Sequence, residues 1–220
     1  MNKAEKKNAA SPPAAGEALY MVVSAPSGTG KTSICREFLK LCPEIQFSVS
    51  STTRPPRPGE RNGLDYFFIS DATFREQIRQ EAFAEWAENY GHCYGTGKDI
   101  MRHFLDDAGD VLLDIEPEGA KILKKNYPGG IFIFVLPPSL EDLKSRLNRR
   151  GETPEVMQKR LGKAMDEIRE IMWYDYVIVN EDLHHAIDCL RSIYLAEKCR
   201  RERRMGKISV FWDKPINHNK

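Results

Sequence analysis

Short apolar runs alternate along this chain with segments in which apolar residues return at helical spacing. The runs at residues 19–23, 111–114, 130–136 and 176–180 have the length of strands and are apolar enough to be buried on both faces. Residues 33–41 are typical of the amphipathic helices between them. Buried strands that alternate with helices are expected in a parallel sheet, so the pattern predicts an α/β fold.

The pattern changes after the first helix. Residues 45–49 and 65–69 read as shorter strands, and Asp71 is placed to cap a helix. Residues 83–90 combine aromatic, small and acidic side chains, and residues 91–97 are punctuated by glycine. We therefore predict strands and one helix here, followed by a glycine-rich loop.

Four more helices are predicted in the second half of the chain, the first of them from Pro117 to Tyr127. Ser139, with Asp142 at the capping-box position, begins one, and Asp182 begins the last. Thr153 precedes the third, whose apolar stripe we expect to be core rather than a ligand set; it consists of Met157, Leu161, Ala164, Met165, Ile168 and Met172.

The turn after the first apolar run has the composition of a phosphate-binding loop. Its residues are Ala25, Pro26, Ser27, Gly28, Thr29, Gly30, Lys31 and Thr32. Glycines let the backbone N–H groups turn inward around phosphate oxygens, and the following helix presents its positive end. Lys31 can then reach terminal phosphates, and the Thr32 hydroxyl can bind Mg²⁺. An ordinary glycine-rich turn has no need of Gly-Lys-Thr at the start of a helix, although Ala25 stands where glycine is usual.

Two further features fit a nucleotide site. The apolar strand at 111–114 ends in Asp114, which can hold Mg²⁺ directly or through water. Prolines stiffen residues 54–58, and a threefold extended backbone turns Arg54 and Arg57 to the same side, where they suit a phosphate dianion. A solvated basic loop is the alternative for this pair.

Composition narrows the setting. The chain has 220 residues, a formal charge of +1 and no apolar run long enough to cross a bilayer, so we expect neither wholesale nucleic-acid binding nor a membrane partner. Its five cysteines lack metal-ligand spacing and suit a reducing, cytoplasmic setting. Residues 1–17 are small, polar and proline-bearing, and we predict a disordered tail.

From about residue 19 to residue 200, the chain resembles the guanylate kinase family. The likeness rests on the phosphate loop and on Ser-x-Ser-x-Thr-Thr-Arg-x-Pro-Arg-x-Gly-Glu at 48–60, and it continues through Tyr66-Phe67-Phe68, Glu85-Trp86-Ala87, Tyr94-Gly95, Leu113-Asp114-Ile115, Pro137-Pro138-Ser139, residues 146–151 and Ile178-Val179-Asn180. The family pattern Asp-Ile-Asp-x-Gln-Gly reads Asp-Ile-Glu-Pro-Glu-Gly here, so Glu116 and Glu118 are departures. The lid segment from Gly151 to Arg160 is one residue shorter than in many relatives.

The resemblance implies transfer of the ATP γ-phosphoryl group to GMP, with Mg²⁺ as cofactor. It implies a three-layer P-loop NTPase fold with a parallel central sheet, a small mixed α+β GMP-binding insertion and a helical lid. The corresponding ranges are 18–49 and 97–200 for the core, 50–96 for the insertion, 143–165 for the lid within the core, and 201–220 for a C-terminal tail.

The resemblance also assigns roles to residues. Catalytic contacts to the transferred group would come from Lys31, Arg146, Arg150 and Arg160, while ATP would be held by the phosphate loop and by Asn180 near the adenine. GMP would be held by Ser50, Arg54, Arg57, Tyr66, Glu85, Tyr94, Thr96, Asp114 and Glu116. Guanine presents N1–H and N2–H₂ side by side, so one carboxylate at Glu85 can accept from both, which adenine cannot offer.

Two alternatives remain beside this interpretation. A related P-loop kinase could act on another small phosphorylated acceptor, in which case Glu85 and Ser50 would not read a guanine edge. A guanylate-kinase-like binding module could have lost catalysis, although such modules lack an intact phosphate loop. Whether the protein is a monomer or a homo-oligomer is left open.

Overall fold

The structure is a computed structural model and describes residues 18–106, 109–148 and 153–212. The predicted tail at 1–17 lies outside these ranges, as do residues 213–220 and Arg150.

Within the described residues the chain forms nine strands and eight α-helices. In chain order they are β1 (Tyr20–Ser24), α1 (Lys31–Leu41), β2 (Gln46–Ser48), β3 (Ser51–Thr52), β4 (Phe67–Phe68), α2 (Asp71–Arg79), β5 (Phe83–Asn89), β6 (His92–Gly97), α3 (Lys98–Asp106), β7 (Val111–Asp114), α4 (Pro117–Asn126), β8 (Ile131–Leu136), α5 (Leu140–Asn148), α6 (Pro154–Arg169), β9 (Tyr176–Val179), α7 (Leu183–Lys198) and α8 (Arg201–Trp212).

The central sheet has five strands in the order β2-β7-β1-β8-β9, and every neighbouring pair is parallel. This confirms the predicted parallel sheet. Val23 of β1 is in register with Asp114 of β7, so the two strands end together at one edge. Ligands of open α/β sheets bind outside the carboxyl ends of the strands, and the phosphate loop leaves β1 at that edge.

Helices cover both faces of this sheet. Alternate residues of β1 point to opposite sides, and the apolar side chains on each side pack against helices. Met21 and Val23 belong to a core cluster shared with α1 and α7. Tyr20 and Val22 belong to a second cluster shared with α3 and α4. The result is a three-layer arrangement in which the buried central strand holds the loop that follows it.

A second, mixed sheet of four strands, in the order β4-β3-β6-β5, is built from residues 51–97. The predicted loop at 91–97 is wrong, because these residues form β6 and pair antiparallel with β5. The helix α3 was not predicted. The predicted cap of α2 is also corrected: the Ser70 side chain accepts from the Thr73 N–H, and Asp71 is the first helical residue.

Two predictions of burial in the second half are wrong. Met172 is 89% exposed, because α6 ends at Arg169 and the short 3₁₀ turn Glu170–Trp173 breaks the apolar stripe. The strand at 176–180 was predicted to be fully buried, yet Val177 and Val179 are exposed, because β9 is an edge strand of the sheet.

The last helices differ from the prediction in one respect. Asp182 caps α7, as its position indicated, but a break after Lys198 separates α7 from α8, where the chain was expected to become a tail. No helix in the described ranges is both long and apolar enough to cross a membrane.

Candidate active site

The phosphate loop joins β1 to α1, and two glycines in left-handed conformation shape it. The φ angles of Gly28 and Gly30 are 95° and 98°, a region that L side chains rarely adopt. The Thr29 hydroxyl donates to the Pro26 carbonyl over 2.7 Å, which tightens the turn. Ala25 is buried in the core beneath the loop, so the departure at this position places its methyl group among apolar side chains.

Lys31, the first residue of α1, lies between carboxylates at the end of β7. Its Nζ is 2.6 Å from Asp114 Oδ1 and 3.6 Å from Glu116 Oε1, and it also donates to the Ile115 carbonyl over 3.1 Å. Burial alone would lower the pKa of Lys31, but the charges of Asp114 and Glu116 raise it well above its usual range. The amine is therefore a fixed positive charge at the sheet edge.

Oxygen donors for a hard cation lie beside this amine. The Thr32 hydroxyl donates to Asp114 Oδ2 over 3.3 Å, at the mouth of α1. The described residues contain no cluster of three or more His, Cys, Asp or Glu that could hold a metal by themselves. One hydroxyl and one carboxylate fit Mg²⁺ that is completed by water and substrate phosphates.

Arg146 and Asn180 both hydrogen-bond to the backbone of the phosphate loop. Arg146 donates from Nη1 to the Thr29 carbonyl over 2.9 Å and from Nη2 to the Asn180 carbonyl over 3.2 Å. The Asn180 Nδ2 donates to the same Thr29 carbonyl over 2.7 Å. A Cβ at Gly30 would lie 2.7 Å from that Nδ2, so the close approach requires glycine.

Arg160 reaches the loop from α6. Its Nη1 donates to Ser27 Oγ over 3.1 Å, and its Cζ lies 4.9 Å from the centroid of the Tyr90 ring. Arg146 and Arg160 thus approach the phosphate loop from different helices, while Arg150 lies outside the described residues.

A cleft beside Asp114 continues from the phosphate loop toward the second sheet. It encloses about 310 Å³ of space open to solvent and is lined by Ser50, Tyr66, Glu85, Ala87, Tyr94, Asp114, Ile115, Glu116 and Gly119. Six of these were predicted site residues; Ala87, Ile115 and Gly119 were not. The structure therefore brings most of the predicted acceptor residues to one cleft that Asp114 shares with the loop.

Glu85 is the most buried acid of the cleft lining. The pairing of β5 with β6 is irregular between Phe83 and Glu85, and Glu85 is only 4% exposed. Its Oε1 accepts from the Thr96 hydroxyl over 2.6 Å, and the Ser50 hydroxyl lies 3.3 Å from that same Thr96 oxygen. Burial raises the pKa of Glu85 to about 7, although hydrogen bonds from Thr96 act in the opposite direction.

Gly119 of α4 leaves room for the Glu85 carboxylate. A Cβ built at this position would collide with Glu85 Oε2. Because Gly119 has no side chain, the backbone of α4 can lie close to the Glu85 carboxylate.

Arg54 lies behind the cleft in an aromatic and acidic environment. Its Nη2 donates to Glu60 Oε1 over 2.9 Å, and its Cζ lies 5.5 Å from the centroid of the Tyr66 ring. Glu60 also accepts from the backbone N–H of Arg57 over 2.7 Å, while the Arg57 side chain is exposed. Burial raises the pKa of Tyr94, and the charges of both arginines oppose this effect, as expected if both lie near its hydroxyl.

Glu116 takes part in a contact that the sequence did not indicate. Its Oε2 accepts from Asn89 Nδ2 over 3.0 Å, and Asn89 Oδ1 in turn accepts from Lys163 of α6 over 2.7 Å. Gly119, Glu60, Asn89 and Lys163 were all missed as site residues. Gly91, which suits the second position of a hairpin turn, was the one local hint of a turn next to Asn89.

The comparisons with known proteins agree on one family. The family model described as guanylate kinase matches residues 18–197. The chain is 56% identical to the guanylate kinase of Syntrophus aciditrophicus over 194 residues, covering 88% of this chain and 94% of that protein. It is 45% identical to the guanylate kinase of Geobacter sulfurreducens over 197 residues, covering 89% and 97%.

A solved structure extends the likeness to the fold. The crystal structure of guanylate kinase from Anaplasma phagocytophilum superposes with a TM-score of 0.73 at 30% identity, covering 86% of this chain and 90% of that one. The agreement confirms the predicted P-loop NTPase fold. With the family model matching from residue 18 to residue 197, the chain belongs to the guanylate kinase family.

Proposed function

We propose that the chain transfers the γ-phosphoryl group of ATP to GMP and that the cleft beside Asp114 binds GMP. The observation that carries this proposal is the placement of the buried Glu85 carboxylate and of Asp114 along one cleft, with Asp114 paired to Lys31 of the phosphate loop. The Lys31 amine, which would contact phosphate, therefore lies next to the cleft that would bind the acceptor.

Guanine recognition rests on Glu85, with Ser50 and Thr96 beside it. The carboxylate accepts from the adjacent N1–H and N2–H₂ donors of guanine, and Thr96 holds its second side through the 2.6 Å hydrogen bond. With AMP in the cleft, Glu85 would be buried opposite an edge that lacks this donor pair. Sites of this kind reject the wrong partner by about 10⁴–10⁵-fold.

The acceptor phosphate is assigned to Arg54, Arg57, Tyr66 and Tyr94. Arg54 is held by Glu60 and by the Tyr66 ring, so its guanidinium is oriented before GMP arrives. The more exposed Arg57 closes the rim of the site. GMP's own phosphate oxygen is the nucleophile, so the chain supplies position and charge rather than an attacking side chain.

Lys31, Arg146, Arg150 and Arg160 are assigned to the transferred group. Two anionic phosphates repel as they approach, so the transition state needs positive charge from several directions; arginines in this role are worth about 10³–10⁵ in rate. Thr32 and Asp114 would hold Mg²⁺, with Glu116 beside them, and the ion would neutralise charge on the ATP phosphates. Asn180, next to the loop, is assigned to the adenine side.

The division of the chain follows from these roles. Residues 50–96 form the GMP-binding insertion, and residues 143–165, which carry three of the four arginine and lysine contacts assigned to the transferred group, form the lid. The cytoplasm suits the reaction, because all five cysteines, each within the described residues, are free thiols.

The test is ADP production from ATP and Mg²⁺ with GMP, AMP, CMP or UMP as acceptor. Wild type is expected to prefer GMP strongly, and Glu85→Gln to lower kcat/KM for GMP by about 10²–10³-fold while ATP binding is retained. Glu88→Gln, an exposed acid on the same strand, is the matched control and should match wild type. Equal activity with all four acceptors would overturn the proposal.

A further inference from the structure

The tip of the hairpin between β5 and β6 breaks a local sequence preference. Asn89 pairs with His92, so Tyr90 and Gly91 form a two-residue turn, and their φ angles are 51° and 75°. Turns with two left-handed residues favour Asn or Asp at the first position, followed by Gly. A tyrosine held at positive φ is unfavourable for the turn itself, and such outliers point to a function for the side chain.

Two cationic side chains of α6, in the segment assigned to the lid, lie close to the Tyr90 ring. Arg160 Cζ lies 4.9 Å from the ring centroid, and Lys163 Nζ lies 5.3 Å from it. Both distances fall within the range at which the ring quadrupole attracts a cation. The same Arg160 donates to Ser27 Oγ of the phosphate loop, so its guanidinium spans the space between loop and hairpin tip.

The neighbouring residue of the turn strengthens the attachment. Asn89 Oδ1 accepts from Lys163 over 2.7 Å, and its Nδ2 donates to Glu116 Oε2 over 3.0 Å. The turn therefore contacts α6 on one side and the residues that follow β7 on the other. Glu116, with its longer side chain than the aspartate usual in the family pattern, makes the second of these contacts.

We infer that Tyr90 is a positioning residue that holds Arg160 over the phosphate loop and links its position to the strands that carry Glu85 and Tyr94. The inference rests on the proposed function, in which Arg160 contacts the transferred group. Tyr90 lies at the tip of the hairpin formed by β5 and β6, which carries Glu85 and Tyr94. The positions of bound GMP and of the Arg160 guanidinium therefore both depend on the Tyr90 side chain.

The turn conformation separates this role from a structural one. Tyr90→Asn removes the ring and gives the turn the residue that it prefers, so the variant should unfold at a temperature equal to or above that of wild type. Its kcat with GMP should nevertheless fall by about three- to tenfold, the effect of a lost cation–π contact at a partly exposed site. Tyr90→Phe keeps the ring and should stay within about twofold of wild type.

Glu81→Asn is the matched control for the backbone change. Glu81 also adopts a φ of 51°, is exposed and lies outside the cleft lining, so its replacement should leave kcat unchanged. A purely structural role for Tyr90 would not produce energetic coupling between Tyr90 and Arg160, which a double-mutant cycle measures. In an Arg160→Met background, Tyr90→Asn should lower kcat by less than about twofold, because no guanidinium is left to position.

The outcomes are distinct. An unchanged kcat in Tyr90→Asn, an equal loss in Tyr90→Phe, or an undiminished loss in the Arg160→Met background would overturn the inference while leaving GMP phosphorylation in place. A wild-type chain that makes ADP with none of the four acceptors would instead overturn the proposed function, and this inference with it.

Discussion

Two buried charges, Lys31 of the phosphate loop and Glu85 of the acceptor cleft, are treated in opposite ways by the fold. Lys31 is compensated within the protein by Asp114 at 2.6 Å and by Glu116 at 3.6 Å, and its pKa is raised well above the usual range. Glu85 accepts from the Thr96 hydroxyl, and within the described part of the chain no Lys or Arg forms a salt bridge with it. Burial raises its pKa to about 7.

The two sites therefore stand in different electrostatic states before substrate binds. The phosphate loop is charged and organised in advance, which favours any nucleotide that brings phosphates and a cation. The acceptor cleft holds a carboxylate whose charge is costly until a ligand supplies donors, and in the proposed function this cost is the basis of discrimination between bases. If the proposed assignments hold, affinity for phosphate and selectivity for guanine come from opposite electrostatic designs.

The strongest test of the compensated charge is Lys31→Met. We expect kcat/KM for both substrates to fall by about 10²–10³-fold or more, because the charge that the proposed function assigns to the transferred group is lost. The free energy of unfolding should also fall by about 3 kcal/mol, because Asp114 is left buried without its cation. Steady-state kinetics and chemical denaturation measure the two effects.

Lys40→Met is the control for this variant. Lys40 lies on the same helix and pairs with Glu37, but its side chain is 70% exposed. Its loss should change stability by less than about 0.5 kcal/mol and leave activity unchanged. An active, stable Lys31→Met protein would remove the first half of the comparison.

A smaller effect is expected from Gly119→Ala, which tests how tightly the uncompensated carboxylate is held. The new Cβ would collide with Glu85 Oε2 and would lie 2.9 Å from Ile115 Cγ2, so both side chains would have to shift. KM for GMP should rise by about tenfold while KM for ATP changes little, because the proposed function assigns the displaced Glu85 carboxylate to guanine. Initial-rate kinetics with each substrate varied in turn measure the split.

Gly162→Ala separates displacement from helix propensity. Gly162 lies inside α6, and a Cβ there meets nothing within 4 Å. Gly162→Ala should gain up to about 1 kcal/mol from the better helix former, whereas in Gly119→Ala the overlap with Glu85 and Ile115 opposes that gain, and only Gly119→Ala should alter KM for GMP. If the two variants behave alike, Glu85 is not held by the close approach of α4.

The two charged sites also differ in how far sequence alone could predict them. The phosphate loop is one contiguous run whose glycines, lysine and threonine act on each other locally, so its placement between strand and helix followed from pattern. The acceptor cleft collects Ser50, Glu85 and Gly119 from separate segments. Its predicted members other than Asp114 came from family resemblance, and Gly119 was missed because its role depends on a contact across the fold.

The errors in the fold have the same origin. Residues 92–97 looked like a loop because glycines weaken strand propensity, yet pairing with β5 overrides that preference. The helix α3 buries only Met101 and Phe104. Two apolar positions are too short a helical pattern to recognise directly after Gly95 and Gly97. Val177 and Val179 looked buried because a pattern does not reveal which strand lies at the sheet edge.

The smallest expected effect concerns stability, and it has the opposite sign from that of Lys31→Met. The pKa of Glu85 is about 7 in the folded protein and about 4.5 when unfolded, so the folded state binds the proton more tightly. The stability contributed by this group is complete below pH 4.5 and is lost as pH rises through 7. Glu85→Gln, which cannot ionise, should therefore unfold about 5 °C above wild type at pH 8 and show little advantage at pH 4.5.

Thermal unfolding of wild type, Glu85→Gln and Glu88→Gln across this pH range measures the gap. Other buried acids, such as Glu167 with its pKa raised to about 8 by burial, are present in all three proteins and cancel in the difference. Glu88 is exposed, so its replacement should produce no gap that grows with pH. A Glu85→Gln protein that is less stable than wild type at pH 8 would mean that the charge is already compensated without substrate, and the contrast with Lys31 would fail.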